Sequence, residues 1–138
     1  MNVHNERRKI MGYYSEVGIA MKKADYEKLK RKINTLPKER NSLKEAVKHL
    51  LTNADCIDPY INLKEYAGKF VAMHWETVKW YMYDDMPEVD FLMEYIRTLP
   101  DYSYMRIGEG TGDIEEEHEG DYNLDVFSAE TKMVIPNY

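Results

Sequence analysis

The segment KFVAMHWETVKWY, Lys69–Tyr81, is rich in β-branched and aromatic side chains, which suit a pleated surface better than a helix. Strand alternation puts Val71, Met73, Trp75, Thr77, Lys79 and Tyr81 on one side. Phe70, Ala72, His74, Glu76, Val78 and Trp80 fall on the other. Both sides carry apolar groups, so the segment reads as a central strand covered on two faces. Its length leaves room for a bend or a break near Glu76.

Upstream, Tyr13, Ser15, Val17, Ile19 and Met21 alternate with Tyr14, Glu16, Gly18 and Ala20, a strand with one face more apolar. Ala24–Leu36 follows as a helix with Tyr26, Leu29, Ile33 and Leu36 on one face, and Pro37 ends it. Ser42 and Glu45 have the spacing of a capping box, which opens a second amphipathic helix running to about Asn53. Residues 54–66 read as a loop. Downstream, Asp85 and Glu88 make a second capping box with Pro87 in the first turn, and the helix carries Val89, Phe91, Leu92, Tyr95, Ile96 and Leu99. Tyr102–Ile107 is a strand, 108–112 a Gly-rich turn and Asp113–His118 a returning strand. After a turn at Gly120–Asp121, Tyr122–Phe127 and Thr131–Pro136 close the chain as strands.

The order β-α-α-β-α-β-β-β predicts an α+β fold, a mostly antiparallel sheet of about five strands with three helices packed on one face. A split β-α-β path can be drawn through it, so a ferredoxin-like core is the specific expectation. Residues 1–11 read as a flexible basic arm and 12–138 as a single domain.

Charge is sorted along the chain. Residues 1–50 hold 13 Lys/Arg against 6 Asp/Glu, and residues 51–138 hold 6 against 19. The overall balance of −6 is wrong for a simple nucleic-acid binder, and an acidic face repels phosphate while attracting a basic partner protein. The same sorting permits head-to-tail or two-fold contact between copies. The one cysteine, Cys56, rules out an intramolecular disulfide, and its flanking Asp55 and Asp58 favour an inert, partly buried thiol. No apolar run reaches signal-peptide or membrane-span length, so a cytoplasmic location in a host cell is expected.

The densest chemistry lies in Gly108–Asp121, seven carboxylates and a histidine within 14 residues. On a strand, Asp113, Glu115 and Glu117 point one way, about 6.5–7 Å apart, and Glu116 and His118 the other. The spacing fails the EF-hand pattern, so no metal or other cofactor is expected. The glycines at 108, 110 and 112 lack the Lys–Ser/Thr of a phosphate loop. A solvated hairpin guarding a sheet edge is the plain explanation. The functional one is a partner-binding acidic surface of Glu109, Asp113, Glu115, Glu116, Glu117, Glu119 and Asp121, extended by Asp84 and Asp85. A second possibility is a planar ligand, such as a nucleotide, stacked on Trp75, Trp80, Tyr102 and Tyr104 beside Arg106; the chain holds 12 Tyr and 2 Trp. A third is a small enzyme using His74 and Glu76, which share a strand face. No nucleophile stands beside them, so no catalytic residue is assigned.

WETVKWY at 75–81, PEVDF at 87–91, YMRIGE at 104–109 and DIE at 113–115, with GYYSEVGI at 12–19, give the chain a familiar style. It resembles small proteins encoded by phages and prophages of Gram-positive bacteria over most of residues 12–120. The resemblance implies a phage context, in which a fraction of such proteins inhibit host defence, including CRISPR effectors, through acidic surfaces. It assigns no functional residue. The leading expectation is a non-enzymatic inhibitor that presents carboxylates to a basic groove of a host protein.

Overall fold

The computed structural model describes residues 13–82, 85–129 and 133–135, so the expected arm at 1–11 lies outside the described residues. In chain order come β1 (Ser15–Lys22), α1 (Lys23–Asn34), α2 (Asn41–Thr52), β2 (Asp55–Ile57), β3 (Phe70–Val78), α3 (Pro87–Arg97), β4 (Tyr102–Gly108) and β5 (Ile114–Glu119). Two short strands, β6 (Ser128–Ala129) and β7 (Met133–Val134), follow. The first five strands form one sheet in the order β2-β3-β1-β4-β5, and every neighbouring pair is antiparallel. The order β2-β3-β1-β4 is that of a split β-α-β core, so the ferredoxin-like topology is present, with β5 added at one edge.

Alternation in β3 is realised as read. Val71, Met73 and Trp75 face the helices, while Phe70 and Ala72 belong to a second cluster on the opposite side. The irregularity expected near Glu76 takes the form of a β-bulge: Val17 pairs with Trp75 but Ser15 with Val78, so Glu76 and Thr77 together oppose Glu16. The strand ends at Val78, three residues earlier than its composition suggests. Trp80, freed from strand parity, turns into the helix-facing core with its ring centroid 5.3 Å from that of Trp75.

The helices cover one face. Leu29 and Ile33 of α1, Val47 and Leu50 of α2, and Val89, Leu92, Met93 and Ile96 of α3 are buried against Val17, Ile19 and Met21 of β1. Each large apolar side chain so buried contributes about 1.5–3 kcal/mol, and this layer holds most of them. The capping box expected at Ser42 and Glu45 does not form. A turn at Lys38–Arg40 runs straight into α2, so its N-cap is Arg40, and Ser42 lies inside the first turn with no capping bond. For α3 the N-cap is Met86, one residue later than expected, and Asp85 before it adopts a left-handed backbone (φ 63°); Pro87 starts the helix as expected.

The other face of the sheet is covered by chain without long regular structure. β2 was missed in the sequence because three residues are too few to show periodicity. The segment after it folds back through Asp58, whose carboxylate accepts from Tyr60 N (2.9 Å) and Gly68 N (2.7 Å). Tyr60, Tyr66 and Phe70 then pack ring against ring. The strand expected over 122–127 is instead a 3-10 turn, Tyr122–Leu124, followed by an irregular run that buries Leu124, Val126 and Phe127. Phe127 lies flat on the backbone of β1 at Gly18, where a Cβ would come within 2.5 Å of its ring. Glycine there is a packing requirement.

Candidate functional site

The β4–β5 hairpin carries the acidic run, and its register sorts the carboxylates by side. Tyr102 pairs with Glu119, Tyr104 with Glu117 and Arg106 with Glu115, so these share the helix-facing side; Met105 with Glu116 and Ser103 with His118 share the other. On the helix-facing side Asp113, Glu115 and Glu117 are already engaged, while Glu119 at the strand end is exposed. Arg106 is fully buried. It donates from Nε to Glu115 (2.7 Å), from Nη1 to Asp113 (3.1 Å) and Ser15 Oγ (3.0 Å), and from Nη2 to Asp113 (2.5 Å). Tyr13 donates to Asp113 (2.6 Å) and accepts from Gly110 N (2.5 Å), and Tyr104 donates to Glu115 (2.9 Å). Gly108 makes this possible, because a Cβ there would meet Asp113 Oδ2 and the Tyr13 hydroxyl.

These contacts set the titration behaviour. Burial by itself would pull the Arg106 guanidinium down, but the hydrogen bonds to Asp113 and Glu115 outweigh it and hold it above its usual value. Burial, then Glu115, push the Tyr104 hydroxyl up. Farther along, Glu117 accepts from Arg97 Nε (3.0 Å) and Nη2 (2.6 Å) and from the Tyr102 hydroxyl (3.1 Å). The Arg97 hydrogen bonds hold the Glu117 carboxyl below its ordinary value of 4.5. A depressed folded-state value means stability that is present above about pH 4.5 and is lost as pH falls through the lower folded value. In thermal melts, wild type is expected to lose more stability over that window than Glu117→Gln. The difference should stay under about 1 kcal/mol, because the pair is a third exposed. Equal losses in the two proteins would remove this pair from the acid response.

The remaining predicted acidic residues are spread along the hairpin and beyond it. Glu109 accepts from Tyr14 N (2.9 Å), and Asp121 caps the 3-10 turn through Asn123 N (2.9 Å). Asp85 is exposed in the turn before α3, and Asp84 lies outside the described residues. Glu116 and Glu119 are exposed and have no hydrogen-bond or ion-pair partner among the described residues. Beside them, His118 stacks on Tyr122 (6.2 Å, 18°), which is 88% exposed, and Ile114 is 46% exposed. Tyr122 is the functional candidate that sequence reasoning missed, since it was counted as part of a strand.

The ligand-stacking set is brought together, but inside the core. Trp75, Trp80, Tyr102, Tyr104 and Arg106 are all buried on the helix-facing side, and Trp80 lies against Tyr104 at 6.5 Å. No ring face among them stands open to solvent. Glu76 lies in the bulge that breaks the strand alternation, and His74 is held by Glu16 on the neighbouring strand (Nε2–Oε2 2.6 Å), which also accepts from Met133 N (3.2 Å). Cys56 is exposed, not partly buried, on β2 at the end of the sheet. Its Sγ lies 3.6 Å from the Tyr26 hydroxyl. Cys56 pairs with Met73 and Asp55 with His74, which puts the thiol and the imidazole on opposite faces. Among the described residues no group of three or more His, Cys, Asp or Glu is arranged to hold a metal ion, and no helix is long and apolar enough to cross a membrane.

No protein-family model, curated protein or solved structure matches this chain. Its functional reading therefore rests on its own geometry.

Proposed function

We propose that this protein is a non-enzymatic binding protein that docks on a basic surface of a partner protein through the exposed β5 edge of its β4–β5 hairpin. The observation that carries the reading is the composition of that edge. Glu116, on the face away from the helices, and Glu119, at the end of the strand, are exposed carboxylates with no partner among the described residues, and Ile114 at the start of the strand and Tyr122 just beyond its end are exposed as well. Acidic groups around exposed apolar and aromatic area suit an interface better than a purely solvated surface, which has no use for the apolar part. Their charge steers a cationic partner and speeds its association. The likeness in style to phage and prophage proteins favours a host defence protein as that partner.

The structure narrows which residues can test this. Reversing Glu115 or Glu117 would strip partners from Arg106 or Arg97 and disturb the hairpin itself. Glu116→Lys combined with Glu119→Lys leaves those pairs alone. With a partner recovered from host lysate, the double variant is expected to associate on the order of tenfold more slowly at low ionic strength, with the gap closing as salt rises. Unchanged association at low salt would rule this surface out.

A further inference from the structure

Among the described residues β5 is an edge of the sheet, with β4 as its one neighbour. Gly108 N donates to Asp113 O (2.8 Å), which fixes the hydrogen-bonding parity of the hairpin. Glu115, Glu117 and Glu119 therefore direct their backbone groups at β4. Glu116 and His118 direct theirs out of the sheet, as a row of donors and acceptors without partners among the described residues. Next to that row, on the face bearing the Glu116 and His118 side chains, lies a cleft of about 460 Å³. Most of its surface is polar, with Glu116, His118 and Asp125 among the lining residues, and the nearly buried Met105 and Phe127 form a small apolar floor. A guarded edge has no need of such a cleft.

We propose that β5 takes up an extended, Lys/Arg-bearing segment of a partner protein as an additional strand, with a basic side chain entering the cleft beside it. This rests on the binding reading above and specifies how the partner is held. Main-chain hydrogen bonds to Glu116 and His118 supply attachment, and the cleft supplies selection at alternate positions. A lysine or arginine stem lies on Met105 and Phe127 while its charged head meets Glu116 and Asp125. A second copy of this chain is the wrong occupant. Pairing β5 with β5 sets glutamates against glutamates across the strands, and like charges directly opposite are destabilising.

The test uses a fluorescent synthetic peptide alternating Lys and Val, the same peptide N-methylated on the amides of one edge, and the full chain. N-methylation removes main-chain donors and keeps every charge. The parent peptide is expected to bind at low salt and to slow hydrogen exchange at the Glu116 and His118 amides, and the methylated one to bind at least about tenfold more weakly. His118→Pro, which deletes an outward N–H and leaves the ladder to β4 intact, is expected to weaken the parent peptide similarly. Should that variant fold poorly, the methylated peptide on wild-type protein decides. Equal binding of the two peptides, or unchanged exchange at Glu116 and His118, overturns strand addition. If the parent peptide then still loses affinity to Glu116→Lys/Glu119→Lys, the acidic-surface reading stands. If that variant binds it equally well, both readings fall.

Discussion

Arg106→Met is expected to lower folding stability by about 3–5 kcal/mol, because it leaves two carboxylates facing each other with no cation between them. Asp113 is 11% exposed, and its Oδ1 lies 2.5 Å from the guanidinium. Glu115 is more open at 37% and contributes less of the loss. Against the 5–15 kcal/mol typical of a domain, the change is large, and urea denaturation should show it as a lowered midpoint at constant slope. The triple variant Arg106→Met, Asp113→Asn, Glu115→Gln is expected to recover at least half of the loss. It removes the charges that the single variant strands, while the Tyr13 and Tyr104 hydroxyls keep amide oxygens to donate to. A single variant that costs under about 1 kcal/mol, or a triple variant no better than the single, would show that the cluster does not hold the hairpin.

The two tryptophans of the core should separate by their hydrogen bonding. Trp75 Nε1 donates to the Leu50 carbonyl (2.8 Å), one of the last-turn carbonyls of α2 that has no partner within the helix. Trp75→Phe therefore shrinks a buried ring and leaves that acceptor unpaired, at an expected cost of about 2–4 kcal/mol. Trp80 is equally buried, but its Nε1 finds no acceptor among the described residues. Trp80→Phe opens similar space and also relieves a buried donor whose desolvation costs about 1–3 kcal/mol, so a net change within about 1 kcal/mol is expected. Equal losses from the two substitutions in denaturant titrations would contradict this assignment.

These residues also show where the sequence stops being informative. Trp75 and Trp80 were assigned opposite faces of one long strand, a correct use of period two. The bulge at Glu76–Thr77 and the strand end at Val78 break that period, and both follow from pairing with β1. The parity of 113–118 was legible, because it depends on local geometry alone. That Arg106, Arg97, Tyr102 and Tyr104 neutralise one side of it was not, since this depends on the register between β4 and β5 and on where α3 ends. His74 was matched with Glu76 because they are close in sequence; Glu16, its partner in space, lies 58 residues away.

Periodicity, Pro and Gly positions, and charge order were enough for the α+β class, the three helices, the central strand and the acidic hairpin. Each of these is a property of neighbouring residues. The strand order, the covering of the second face and the division of one acidic run into clamped and exposed carboxylates were decided by tertiary structure. A strand's inward and outward positions are written in its own residues, but what meets them is written in segments tens of residues away. The charge order therefore located the acidic run, and the fold decided that Glu116 and Glu119 are the hairpin carboxylates left exposed and without a partner among the described residues.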